Sequence, residues 1–158
     1  MTYNELNEMR IKMQQMKKEY EEVIQNFGKE IFNSATKELF ENNPKLTSFG
    51  WYQYTPYFND GEECTFRVNR DYLTLNRTGE SLDRCGVDYW KDPKYNYTPP
   101  DPKDYNCDSI DELISIVKGI DKVLDLFEDD DLYMMFDDHS EITVFRDGEI
   151  DIDSYDHD

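Results

Sequence analysis

The chain has 158 residues, a formal net charge of −19 and a mean hydropathy of −0.90, values that point to disorder when aromatics are scarce; here 2 Trp, 12 Tyr and 9 Phe are enough to build and pin a core. The charge argues against direct nucleic-acid binding, and no apolar run approaches the length of a membrane span. The polar start Met1-Thr2-Tyr3-Asn4-Glu5 does not read as a signal peptide, and three cysteines without a C-x-x-C suit a reducing cytoplasm better than a disulfide framework or zinc knuckle.

Thr2, with Glu5 three residues on, forms a capping box that opens a long helix. Behind it Leu6, Met9, Met13, Met16, Tyr20, Val23 and Phe27 recur at alternating spacings of three and four. That is a heptad seam, the pattern of a left-handed coiled coil, and residues 1–45 are expected to drive homo-oligomerisation. Gly28 should weaken or bend the helix. Ile31, Phe32, Ala35, Leu39 and Phe40 then form a wider face suited to docking on a domain, and Pro44 ends the pattern.

From Leu46 the period changes to two. Phe49, Trp51, Gln53 and Thr55 fall on one strand face, Tyr52 and Tyr54 on the other. Asn59-Asp60-Gly61 signals a turn, and alternation resumes through Cys64, Phe66 and Val68, so a hairpin with an irregular tip is expected, Pro56 being unsuited to a paired strand. Residues 76–108 carry four prolines and no period, which predicts a long loop. Ser109 and Glu112 cap an amphipathic helix running from Ile110 to Phe127. The run Glu128 to Asp131 is expected to close that helix, where the dipole disfavours it. Strands are expected at Leu132–Phe136 and Ile142–Arg146, with Asp147-Gly148 turning the second into Glu149–Asp153. The predicted class is α+β: a coiled-coil-like N-terminal helix, an antiparallel sheet of about five strands and one further amphipathic helix, with residues 46–158 as the α+β domain.

Chemistry-bearing patterns are few. Only two histidines occur, His139 and His157, and there is no glycine-rich phosphate loop or nucleophile elbow; no enzyme, cofactor or metal is expected. Glu149, Asp151 and Asp153 share a strand face opposite Ile150 and Ile152, a pattern that suits a solvated edge strand better than a cation site. A denser signal is the aromatic hairpin tip followed by Arg67, Arg70, Arg77, Arg84, Lys91 and Lys94. Tyr54, Thr55, Tyr57, Asn59, Asp60, Arg67 and Arg70 make a nucleotide-sized site conceivable, with rings to stack bases and arginines to grip phosphate. The charge is also lopsided: residues 101–158 hold 4 basic and 20 acidic side chains, a net of −16. A solubilising, a phosphate-mimicking and a protein-docking role all fit such a segment, and Asp129, Asp130, Asp137 and Asp138 are its candidate partner-binding residues.

The run from Trp51 to Phe66, WYQYTPYFNDGEECTF, resembles a W-x-Q-Y-T-P-Y-F-N-D-G-x-x-C-x-F signature of small uncharacterised proteins of tailed bacteriophages. The likeness implies a product of the infected bacterial cytoplasm that acts on host machinery or host defences, and it carries no catalytic residues. Two functional expectations follow. One is a non-enzymatic counter-defence protein that sequesters a nucleotide-type immune signal. The other is an acidic inhibitor that blocks the basic site of a host defence nuclease or DNA-binding protein.

Overall fold

The structure, a computed structural model, describes residues 1–57, 61, 63–92, 94–95 and 98–157. It is α+β: one long N-terminal helix, an antiparallel sheet and two shorter helices. Helix α1 spans Tyr3–Asn42, about 60 Å at 1.5 Å per residue. Thr2 Oγ1 accepts from the Glu5 N–H at 3.2 Å, and the Thr2 N–H donates to Glu5 Oε2 at 2.9 Å, which completes the expected capping box. The helix continues through Gly28 and ends just before Pro44, as the pattern suggests. A Cβ at Gly28 would lie 2.8 Å from Met135 Sδ, so the glycine admits a neighbouring helix to close range.

The C-terminal end of α1 is clamped from two directions. Asn43 Nδ2 donates to Leu39 O at 2.9 Å while its Oδ1 accepts from Ser115 Oγ at 3.1 Å. The Arg146 guanidinium donates to Asn43 O at 2.6 Å and Leu46 O at 3.0 Å and lies 5.4 Å from the Phe40 ring centroid. A cation on the last carbonyls complements the negative end of the helix dipole.

Strand β1 (Ser48–Tyr54) is the central strand. On one side it pairs with β5 (Ser140–Phe145), from Ser48 opposite Phe145 to Gln53 opposite Ser140. Its other edge is shared by β3 (Tyr72–Leu75) and the two-residue β2 (Arg67–Val68). Strand β4 (Ser81–Asp83) extends the sheet beyond β3, and β6 (Ile150–Ser154) extends it beyond β5. The Asp147-Gly148 hairpin forms as the sequence suggests, with Gly148 at φ +94°. The hairpin expected from Leu46 to Val68 is much reduced. Cys64 and Phe66 lie outside any strand, and β1 finds most of its partners elsewhere.

Two expected elements differ. Residues Leu132–Phe136 belong to helix α3 (Asp129–Phe136), not to a strand. A five-residue apolar run does not distinguish strand from helix by period; the acidic run decides it. Glu128 to Asp131 begins α3 rather than closing α2 (Ile110–Leu124), with the Glu128 N–H bonded to Asp131 Oδ2 at 3.0 Å. Carboxylates there face the positive end of a dipole, and Leu132, Met135 and Phe136 bury at helical spacing. The 76–108 segment is also more built than a loop: it holds β4 and two short 3₁₀ turns, Val87–Tyr89 and Pro102–Tyr105. Asn76, at φ +55°, accepts from the Thr47 N–H at 2.8 Å and donates to Tyr105 O at 2.8 Å, tying both ends of the segment together.

The helices pack on the sheet face that carries Phe49, Trp51 and Gln53. Phe32 of α1 sits within 5.1–6.1 Å of the Trp51, Phe127 and Phe136 rings, centroid to centroid. Gln53 is fully buried and fully bonded. Its Oε1 accepts from the Trp51 indole N–H at 3.0 Å, and its Nε2 donates to Leu132 O at 3.0 Å and Asp137 O at 2.8 Å. Replacing Gln53 with Leu, similar in volume, leaves the indole N–H and two carbonyls without this partner. The expected loss is about 2–4 kcal/mol, read as a lower urea midpoint at constant slope. An unchanged midpoint would show that the strand-to-helix tie is dispensable.

Candidate functional site

The expected hairpin-tip residues separate into three groups. Asn59 and Asp60 lie outside the described residues. Tyr54 and Tyr57 join a ring stack: Tyr54 lies 4.0 Å from His157 and 5.5 Å from Tyr155, and Tyr57 lies 4.1 Å from His157 and 4.9 Å from His139, all centroid to centroid. His139 Nδ1 and His157 Nε2 are 2.7 Å apart, which fits one sharing a proton with the other. Thr55 is engaged with Asp138: its N–H donates to Oδ1 at 2.8 Å and its hydroxyl to Oδ2 at 2.7 Å.

The two arginines behave differently from each other. Arg67 is exposed on β2 opposite Tyr54. Arg70 turns inward, donating to Asp129 Oδ1 at 2.9 Å and Phe127 O at 3.1 Å, with Asp125 at 3.8 Å. The cleft beside them, about 460 Å³, is lined by Thr65, Phe66, Arg67, Glu128, Asp129 and Asp130. Three carboxylates around one arginine repel a phosphate more than they receive it. Of the other basic residues after the hairpin, Arg84 pairs with Asp121 at 2.5 Å and Lys91 with Asp111 at 2.5 Å, and Arg77 lies over the Phe145 ring at 5.0 Å.

The four candidate partner-binding carboxylates divide as well. Asp129 and Asp138 are occupied within the fold, by Arg70 and the Val68 N–H and by Thr55. Asp130 and Asp137 are exposed. Burial opposes ionisation of Asp138, but the Thr55 bonds, the His139 N–H and the His139 charge outweigh it and hold the carboxyl below its ordinary value.

A larger feature is the sheet face turned away from the helices. Cross-strand partners point to the same side, so register alone assembles it. Tyr72 stands opposite Asp83, Thr74 opposite Ser81 and Gly50, Gly50 opposite Thr143, and Thr143 opposite Asp151. Tyr52 stands opposite Glu141, which stands opposite Asp153. Beyond β6, Tyr155 bonds back to His139 O at 2.7 Å and stacks on Tyr52 with 4.6 Å between centroids and 13° between planes. Burial first, then Tyr155, Tyr54, Tyr72 and Glu141, raise the Tyr52 hydroxyl pKa above its ordinary value. The face thus combines tyrosine rings with four carboxylates, and Arg67 and Arg77 stand at its margins.

Alternation placed Tyr52, Tyr54, Asp151 and Asp153 on outward faces. Nothing local in the sequence joined them, because the join is the pairing of β1 with β5. Cys107 is buried and its thiol is pushed up to about 11 by burial, then Glu112, with Lys45 opposing, so it is poorly placed as a nucleophile. Among the described residues no group of three or more His, Cys, Asp or Glu is arranged to hold a metal ion, and no helix is long and apolar enough to cross a membrane. Comparison with protein-family models, curated proteins and solved structures finds no match.

Because the folded pKa of Asp138 is lowered, its stabilising bonds with Thr55 are complete above the ordinary carboxylate value of 3.8 and lost as pH falls through the lower folded value. Urea midpoints should therefore drop as the pH falls below about 4. Asp138→Asn should flatten that part of the profile. A variant profile that keeps the full acid-side slope would assign the effect to other carboxylates.

Proposed function

We propose that this protein is a non-enzymatic acidic binding protein that docks the basic surface of a protein partner through its open tyrosine–carboxylate sheet face. The observation that carries this reading is the one-sided sheet, which leaves Tyr52, Tyr72, Glu141, Asp151 and Asp153 in register on the uncovered side. Tyrosine rings give contact area and cation–π faces for Arg and Lys, and carboxylates pair with the same side chains. The net −16 of residues 101–158 adds long-range attraction for a basic partner. The likeness of the Trp51–Phe66 run to small tailed-phage proteins supplies the setting: the basic groove of a host defence nuclease or DNA-binding protein, in an infected bacterial cytoplasm.

Nucleotide sequestration is a second reading, favoured by the Tyr54–Tyr57–His139–His157 stack beside exposed Arg67. It ranks lower because Arg70 already has Asp129 as a partner and the adjoining cleft is acidic.

An arginine-rich peptide titrated against the protein reports the difference. Affinity should fall steeply between about 50 and about 300 mM salt, since screening over ~8 Å weakens exposed charge pairs. Glu141→Gln, Asp151→Asn and Asp153→Asn together should weaken binding about tenfold or more. Neutralising Glu8, Glu22 and Glu30 of α1 changes the total charge equally and should have little effect. If both triple variants weaken binding alike, the face is not the site. Saturable heat with a cyclic dinucleotide, lost in Arg67→Ala, would favour sequestration instead.

A further inference from the structure

Among the described residues the heptad seam of α1 finds no cover in its own chain. Leu6, Met9, Met13, Met16, Tyr20, Val23 and Phe27 are 48–68% exposed, and the first buried residue of the helix is Gly28. Residues 3–27 form an arm about 37 Å long. Seven such side chains offer an area of the order of the ~800 Å² per partner that stable interfaces use. The charge of the molecule is not shared by this arm. Residues 1–27 hold four basic and five acidic side chains, whereas residues 28–158 hold 13 basic and 31 acidic, a net of −18.

We propose that the arm pairs with the arm of a second copy of this chain in antiparallel orientation, Leu6 of one against Val23 of the other. A parallel pair would set two bodies of −18 side by side. An antiparallel pair puts them at opposite ends of the arms, several screening lengths apart. The seam layers agree. Antiparallel packing sets Leu6 against Val23, Met13 against Met16 and Tyr20 against Met9, a favourable sulfur–aromatic contact, and leaves Phe27 beside Thr2 at each end of the seam. Parallel packing would set Tyr20 against Tyr20 and Phe27 against Phe27, crowding ring on ring. Flanking charges do not separate the two. Antiparallel pairing joins Lys12 with Glu19 and opposes Arg10 with Lys17; parallel pairing joins Glu5 with Arg10 and opposes Lys12 with Lys17. The repulsion between bodies therefore decides the orientation. The dimer carries two open sheet faces at opposite ends of one rod.

The test uses the full chain with Cys64→Ser and Cys85→Ser, the two thiols that are not buried, carrying Leu6→Cys and Val23→Cys. Within one helix these positions are about 25 Å apart, too far for a disulfide, so a bridge between them joins two chains. Oxidation followed by peptide mass spectrometry should give the 6–23 bridge, and light scattering on the unmodified chain should give twice the monomer mass at about 50 μM. Bridges of 6–6 and 23–23 would overturn the orientation, and a monomer mass would overturn the pairing. Met16→Glu should return the chain to monomer with an unchanged circular dichroism spectrum, because that side chain is 68% exposed in the single chain. A Met16→Glu chain that remains a dimer would also reject the arm as the interface.

Discussion

Among the described residues the three α-helices lie on one side of the sheet, and that constraint sets the rest of the molecule. A sheet covered once must be apolar on one face and stable in water on the other. On the covered side Phe49, Trp51, Ile142 and Val144 are buried in one cluster with Phe32, Phe40, Phe127 and Phe136, with the Trp51 ring against Phe32 and Phe136 and the Phe49 ring against Phe40. On the other side the same strands carry Tyr52, Tyr72, Glu141 and Asp151, groups whose polar ends tolerate hydration and whose bodies shield the backbone. Gln53, opposite the buried Ser140, departs from this apolar pattern on the covered face. It is polar, central and buried, and it survives there because α3 presents two carbonyls to its amide. The helix and the strand therefore fix each other's position.

Much of this was legible in the order of residues. Alternation separated Phe49, Trp51 and Gln53 from Tyr52 and Tyr54, the capping box opened α1, and Asp147-Gly148 marked the last hairpin. Two failures share one cause. The short run Leu132–Phe136 has no period long enough to choose a helix, and the choice came from carboxylates that serve as an N-terminus. Strands β3 and β4 are short and sit among turn residues, so only their neighbours in space define them. The site was less legible than the fold. Arg70 reads as a phosphate ligand until Asp129, 59 residues away, is found beside it. Carboxylate and arginine patterns state what is available, and the tertiary pairings decide what is left over.

The molecule divides its tasks between a nearly neutral rod and a strongly anionic body. The body keeps its excess charge in water, where hydration makes it inexpensive. The rod holds apolar side chains that a body of this charge would keep apart if they were placed on it. A methionine-rich seam suits this division, because thioethers adapt to imperfect partners where branched side chains demand a fixed one.

The clamp at the end of α1 also sets an order of events during synthesis. Asn43 O receives its bond from Arg146, a residue made 103 positions later. At 5–20 residues per second, that interval lasts roughly 5–20 s. During it strands β1 to β4 are made, but β5, the main partner of β1, is completed only at its end. The end of α1 is therefore fixed only once the last third of the chain has been made, so the clamp closes late in synthesis.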